Sequence, residues 1–197
     1  MDIILCKKVG EVYMKLYHGS SIRGLTQLCP FLSEHGRPYL YLSSSIVVAG
    51  FYTVWRVERP YSWFPYGFSD GVPIYTEYYK NALADVYRGR QGYIYHCSPA
   101  GALENPTGIE QVLASEQPVD VVSVLEIADM YRWLLEQEQA GALLIRRYEA
   151  LTEREIARAE RLVADEIRVH RLKENPQNSY ARFLAERFPQ IWTQETV

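Results

Sequence analysis

Residues 39–43 alternate tyrosine and leucine strictly before ending in serine. That is the period-2 pattern of a strand with one face buried. The turn signal Gly36-Arg37-Pro38 stands ahead of it. A similar apolar pattern predicts a first strand over residues 11–17, and Gly92-Tyr93-Ile94-Tyr95-His96-Cys97 reads as another. Residues 110–114 and 119–125 read as two strand segments around Pro118. Helical stretches lie between these strands. Residues 46–57 follow a run of capping serines and hold no breaker but Gly50, and a second helix is expected over residues 75–88. A short helix or turn is expected over residues 21–28, and a long loop rich in Pro, Gly and aromatics between Pro60 and Pro73.

From Glu126 onward the pattern becomes helical. Residues 129–139 form one predicted helix, which Gly141 breaks. Thr152-Glu153-Arg154-Glu155 is a capping box, with Thr152 at the N-cap and Glu155 reaching back to it. It opens a charged amphipathic helix to about residue 173, and a last short helix runs from near Asn178 to before Pro189. The fold class expected is α+β. The expected domain organisation is a mixed domain over residues 1–138 and a helical extension over residues 139–197, whose apolar positions suit packing or self-association.

Composition narrows the function only modestly. The 197 residues are 48% hydrophobic and 23% charged, as in ordinary globular proteins. In residues 1–100, ten Lys and Arg face seven Asp and Glu, while in residues 101–197 eleven face seventeen. A first half near +3 suits an anionic small molecule and falls far short of a nucleic-acid footprint. Three cysteines without CxxC spacing give neither a disulfide framework nor a metal site. No apolar run approaches the roughly 18 residues of a membrane span. The first eight residues place their charges after the apolar patch, the reverse of a signal peptide. A cytoplasmic setting is therefore expected. Thirteen of the 16 tyrosines precede residue 100, which suits a sheet core as well as a site for flat rings.

Candidate chemistry begins at Leu16-Tyr17-His18-Gly19-Ser20, where a histidine meets a bare backbone at a strand end. Next come Leu40-Tyr41-Leu42-Ser43 and, eleven residues after Tyr41, Tyr52. Gly92-Tyr93-Ile94-Tyr95 and then Glu110-Gln111-Val112-Leu113, with Gln117-Pro118-Val119 behind it, complete the series. In this order the residues resemble the His–Tyr–Glu signature of the ADP-ribosyltransferase superfamily, in its poly(ADP-ribose) polymerase-like and rifampin-modifying branches. The resemblance covers residues 14–130 or so.

The resemblance implies an ADP-ribosyltransferase-like split β-sheet core, and a bacterial-type mono-ADP-ribosyltransferase using NAD as co-substrate without a metal. His18 would anchor the adenosine ribose, and Gly19 the nicotinamide carboxamide. Tyr41 and Tyr52 would sandwich the nicotinamide ring, with Ser20 and Ser43 also lining the NAD site. Glu110 would stabilise positive charge on the ribose, with Glu104 as its rival. The chain departs from the polymerase branch at Ala49, where that branch has a serine that bonds the carboxamide. The acceptor stays open among protein, nucleic acid and small molecule. Three alternatives stand beside transfer: a non-catalytic NAD or ADP-ribose binding module, a protein-interaction module, and an RNA 2′-phosphotransferase, although no arginines cluster for the last.

Overall fold

The computed structural model describes residues 15–32, 36–54 and 66–194. The strands are β1 (Leu16–Ser20), β2 (Gln27–Leu28), β3 (Phe31–Leu32), β4 (Pro38–Ser43), β5 (Tyr66–Ser69), β6 (Val72–Thr76), β7 (Gly92–Ser98), β8 (Val112–Ser115), β9 (Val119–Ile127) and β10 (Leu144–Arg146). The helices are α1 (Ile46–Phe51), α2 (Ala82–Tyr87), α3 (Met130–Gln139), α4 (Glu153–Val169), α5 (Ser179–Arg187) and α6 (Pro189–Gln194). The chain is thus a mixed α+β protein with a mostly antiparallel sheet.

The larger sheet runs β2-β9-β7-β1-β4-β3, with β8 also paired to β4. Its ladders are uneven. β1 pairs with β7 over five residues, Leu16↔Cys97 to Ser20↔Tyr93, and β4 pairs with β8 over four, Leu40↔Ser115 to Ser43↔Val112. Between β1 and β4 the register is one bridge, Tyr17↔Ser43. Two half-sheets, one built on β1 and the other on β4, therefore meet at a single point.

One face of this sheet carries Leu16, Leu40, Leu42, Tyr93, Tyr95 and Cys97, which form a buried cluster with Leu28 and Val119. The other face carries α1. Gly19 admits that helix: a Cβ there would lie 1.9 Å from the Ala49 carbonyl oxygen and 3.2 Å from the Thr53 nitrogen. Farther along, α1 meets α3 through Gly50, whose added Cβ would fall 2.6 Å from the Trp133 ring. The main core joins Val47, Phe51 and Ile94 to Leu143, Val163, Ile167, Tyr180, Phe183 and Leu184. Core residues from both sides of residue 138 thus share one cluster, and residues 139–197 add a strand as well as helices.

That strand, β10, runs parallel to β6 in a second sheet ordered β10-β6-β5. β5 and β6 form a hairpin around Asp70 and Gly71, with φ of 51° and 76°. Such a turn matches the right-handed twist of its strands. The long loop expected between Pro60 and Pro73 is thus a hairpin in its second half, and residues 60–65 lie outside the described residues. The helix expected over residues 75–88 begins only at Ala82, because β6 extends to Thr76 and pairs on both edges. Residues 21–28 form a bend and the short strand β2 in place of a helix. The first strand begins at Leu16, so His18 lies inside it, and residues 11–14 of the expected strand lie outside the described residues. The expected helix over residues 46–57 stops at Phe51, capped by Tyr52, and residues 55–57 lie outside the described residues.

Candidate functional site

The point where the half-sheets meet gathers most of the residues singled out by the sequence. Past the Tyr17↔Ser43 bridge, backbone pairing between β1 and β4 stops and a side chain takes over. His18 Nδ1 lies 2.9 Å from the Tyr41 carbonyl oxygen. A carbonyl can only accept, so Nδ1 carries the proton and Nε2 is the acceptor of the neutral ring. Burial pulls the imidazole below its ordinary pKa, and the bond to the carbonyl offsets part of that shift. The ring is therefore neutral at pH 7, with one nitrogen fixed by the fold and the other able to take a hydroxyl proton.

Continuing the antiparallel register from Tyr17↔Ser43 sets Gly19 level with Tyr41, so both belong to the face that α1 covers. Residues 49–53 of the helix end lie directly on Gly19. Tyr52, the C-cap of α1, is half-buried against the main core, and its backbone N–H donates to the Ala49 carbonyl at 3.1 Å. Tyr41 is half-buried, with its ring centroid 6.0 Å from that of Tyr39. Ser20 and Ser43 are both buried. The Ser20 hydroxyl accepts from the Ile22 N–H, and the Ser43 hydroxyl accepts from the Ser45 N–H while donating to the Gln111 carbonyl. Their hydroxyls thus shape the ends of β1 and β4.

Glu110 is exposed and sits in the turn before β8. Because Val112 pairs with Ser43, the turn lies at the same end of β4 as the bridge to β1. Glu104 is elsewhere. Its backbone bridges to Ala114, and its carboxylate accepts from the Tyr39 hydroxyl at 3.0 Å. Arg37 lies 3.7 Å from that carboxylate, pairs with Glu116, and covers the Tyr39 ring at 5.6 Å. Burial, then the bond to Glu104, holds the Tyr39 hydroxyl above its ordinary pKa. The Glu104 backbone, bridged to Ala114, is level with Tyr41, while Glu110 precedes Val112, the partner of Ser43, so the two glutamates lie at different levels along β4.

The adjacent His96 and Cys97 do not form a thiol–base pair. His96 stands on the opposite face of β7, its ring 5.8 Å from Tyr17. Cys97 Sγ donates to the Tyr95 carbonyl, and burial pushes the thiol up to about 12.

Sequence reasoning missed two parts of this region. Arg37, Glu104 and Glu116 assemble around Tyr39 from three separate segments, and only the shared face of Tyr39 and Tyr41 hinted at it. Gln111 has φ 62°, a left-handed backbone that its residue type does not announce. Among the described residues, no helix is long and apolar enough to cross a membrane. No known protein-family model and no curated protein gives a significant match to this chain.

Proposed function

We propose that the chain is an NAD-dependent mono-ADP-ribosyltransferase-like enzyme, built on a split sheet core of that superfamily's kind. The observation that carries this reading is His18 bridging the opening between β1 and β4, its Nδ1 spent on the Tyr41 carbonyl. Nε2 is then an oriented acceptor for a ribose hydroxyl, and the bare Gly19 backbone lies one residue away, level with Tyr41. An aromatic ring, a histidine acceptor and a peptide without a side chain suit a nicotinamide nucleotide.

NAD enters this reading as a substrate. Breaking its glycosidic bond sends the bonding pair to nicotinamide and leaves positive charge on the ribose. A carboxylate near that charge lowers the barrier, and Glu110 is the carboxylate at the joined end of the half-sheets. Its rival Glu104 is committed to Tyr39 and Arg37. The acceptor takes the ribose carbon, and its proton leaves through Glu110 or solvent. Tyr41 and Tyr52 would flank the ring, with Ser43 and Ser20 shaping the walls.

Nicotinamide release from NAD, followed by mass spectrometry of lysate proteins, nucleic acids and small molecules for an added ADP-ribose, tests the proposal. Glu110→Gln should leave NAD affinity nearly intact while cutting release by about 100-fold or more, as expected for losing one preorganised charge. Loss in Glu104→Gln in place of Glu110→Gln would move the acid to the Tyr39 cluster. NAD binding with no release from the wild type would point to a binding module, in keeping with the missing hydroxyl at Ala49.

A further inference from the structure

Glu110 stands on an exposed turn, and among the described residues no side-chain hydrogen bond or ion pair fixes its direction. The residue after it is held unusually. Gln111 adopts φ 62°, a left-handed region that disfavours a side-chain-bearing residue relative to glycine. Two of its hydrogen bonds face β4: the Gln111 carbonyl accepts from the Ser44 N–H at 3.0 Å and from Ser43 Oγ at 2.8 Å. The third faces the other sheet, where Gln111 Nε2 donates to the Gly71 carbonyl at 2.7 Å. Gly71 is the tip of the β5–β6 hairpin. The turn bearing Glu110 is therefore fastened on one side to the junction of the half-sheets and on the other to a hairpin tip. Turn geometry alone would favour glycine at position 111. What glutamine adds is an amide long enough to reach Gly71.

We propose that Gln111 is a positioning residue, which clasps the Asp70–Gly71 hairpin tip to the Glu110 turn and so fixes the Glu110 carboxylate. The role in catalysis rests on the reading of Glu110 given above; the clasp itself does not. Three substitutions separate the possibilities. Gln111→Gly keeps the left-handed backbone and removes the clasp. Gln111→Lys restores a long N–H donor. Gln111→Glu sets an acceptor against the Gly71 carbonyl.

Steady-state nicotinamide release, thermal midpoint and amide exchange over the β5–β6 hairpin are measured for each. In Gln111→Gly, kcat should fall about tenfold, while KM for NAD and the midpoint stay near wild type and hairpin exchange quickens. Gln111→Lys should recover most of kcat, and Gln111→Glu should be lowest. Wild-type kcat in Gln111→Gly, or equal loss in the Gly and Lys variants, overturns the positioning role while leaving the transferase reading intact. A wild type that releases no nicotinamide sinks the transferase reading and the catalytic role with it. The exchange arm still decides the clasp: unchanged hairpin exchange in Gln111→Gly overturns it.

Discussion

His18 sits in a strand and has one nitrogen tied to backbone, so its protonation is coupled to folding. Its folded pKa lies below the ordinary 6.5 because burial disfavours the imidazolium. Above pH 6.5 the ring is neutral in both states and contributes no pH dependence. As pH falls through 6.5 the unfolded chain takes up a proton that the folded chain refuses, so stability declines until the lowered folded pKa is reached. Thermal midpoints between pH 5 and 7.5 should therefore fall more steeply for wild type than for His18→Gln, which cannot titrate. Parallel slopes would show that the ring is not held neutral. Part of this was legible beforehand: His18 and Tyr41 were both placed on strands, which the fold bears out. The tautomer was not, because the carbonyl that sets it lies 23 residues away.

At the scale of elements, close approach decides what the glycines do. Gly19 meets backbone atoms of α1, and Gly50 meets the partly exposed ring of Trp133. A methyl at Gly19 has nothing flexible to displace, so α1 itself must move. Gly19→Ala should cost about 1–3 kcal/mol in urea unfolding, as overpacking does, and should shift α1 off the junction. Gly50→Ala should cost less, because the Trp133 side chain can swing outward. Equal costs would mean that the helix yields as easily as a side chain. Other elements are defined by local chemistry. Thr152 and Glu155 form the capping box that the sequence announced, and Asp129 caps α3 through the Arg132 N–H. The hydrogen bond from Arg146 and those from Thr152 hold the Glu155 carboxyl down to about 2 and fasten β10 to the start of α4. Glu77 does comparable work without any sequence signal. It is buried, and its carboxylate accepts from the Leu83 N–H at the start of α2 and the Tyr148 N–H after β10.

Across the whole molecule, the C-terminal helices are part of the fold's interior. Leu184 and Ala181 of α5 are fully buried in the same cluster as Phe51 of α1 and Leu83 of α2. Arg187 forks onto both oxygens of Asp85 at 2.9 Å and stacks near Tyr79, so α5 is clamped to α2. Burial, then the bond to Asp85, raises the Tyr79 hydroxyl far above its ordinary pKa. Leu184→Ala should cost about 2–5 kcal/mol and lower a single unfolding transition, seen at the same urea concentration by tryptophan fluorescence and by far-UV circular dichroism. Two transitions, with only one of them shifted, would show that the helical region folds separately from the sheet.

The sequence alone determined the features that depend on neighbours within a few residues. Period-2 alternation placed β4, the capping box started α4, and Gly141 ended α3, because propensity, periodicity and caps act within a few turns of chain. It also placed His18 and Tyr41 on strands. Glu110, expected at the start of a strand over residues 110–114, lies instead in the turn before β8, which begins only at Val112 where pairing with Ser43 starts. Tertiary structure decided the rest. The single bridge between β1 and β4, the parallel seat of β10 on β6, and the assembly of Arg37, Glu104 and Glu116 around Tyr39 all join distant segments. Gln111 became left-handed because Ser43, Ser44 and Gly71 bond it from two sheets. A carboxylate in a turn looks the same in sequence wherever the turn lands. Only the tertiary packing could set Glu110 in the turn at the junction of the half-sheets and commit Glu104 to Tyr39 and Arg37.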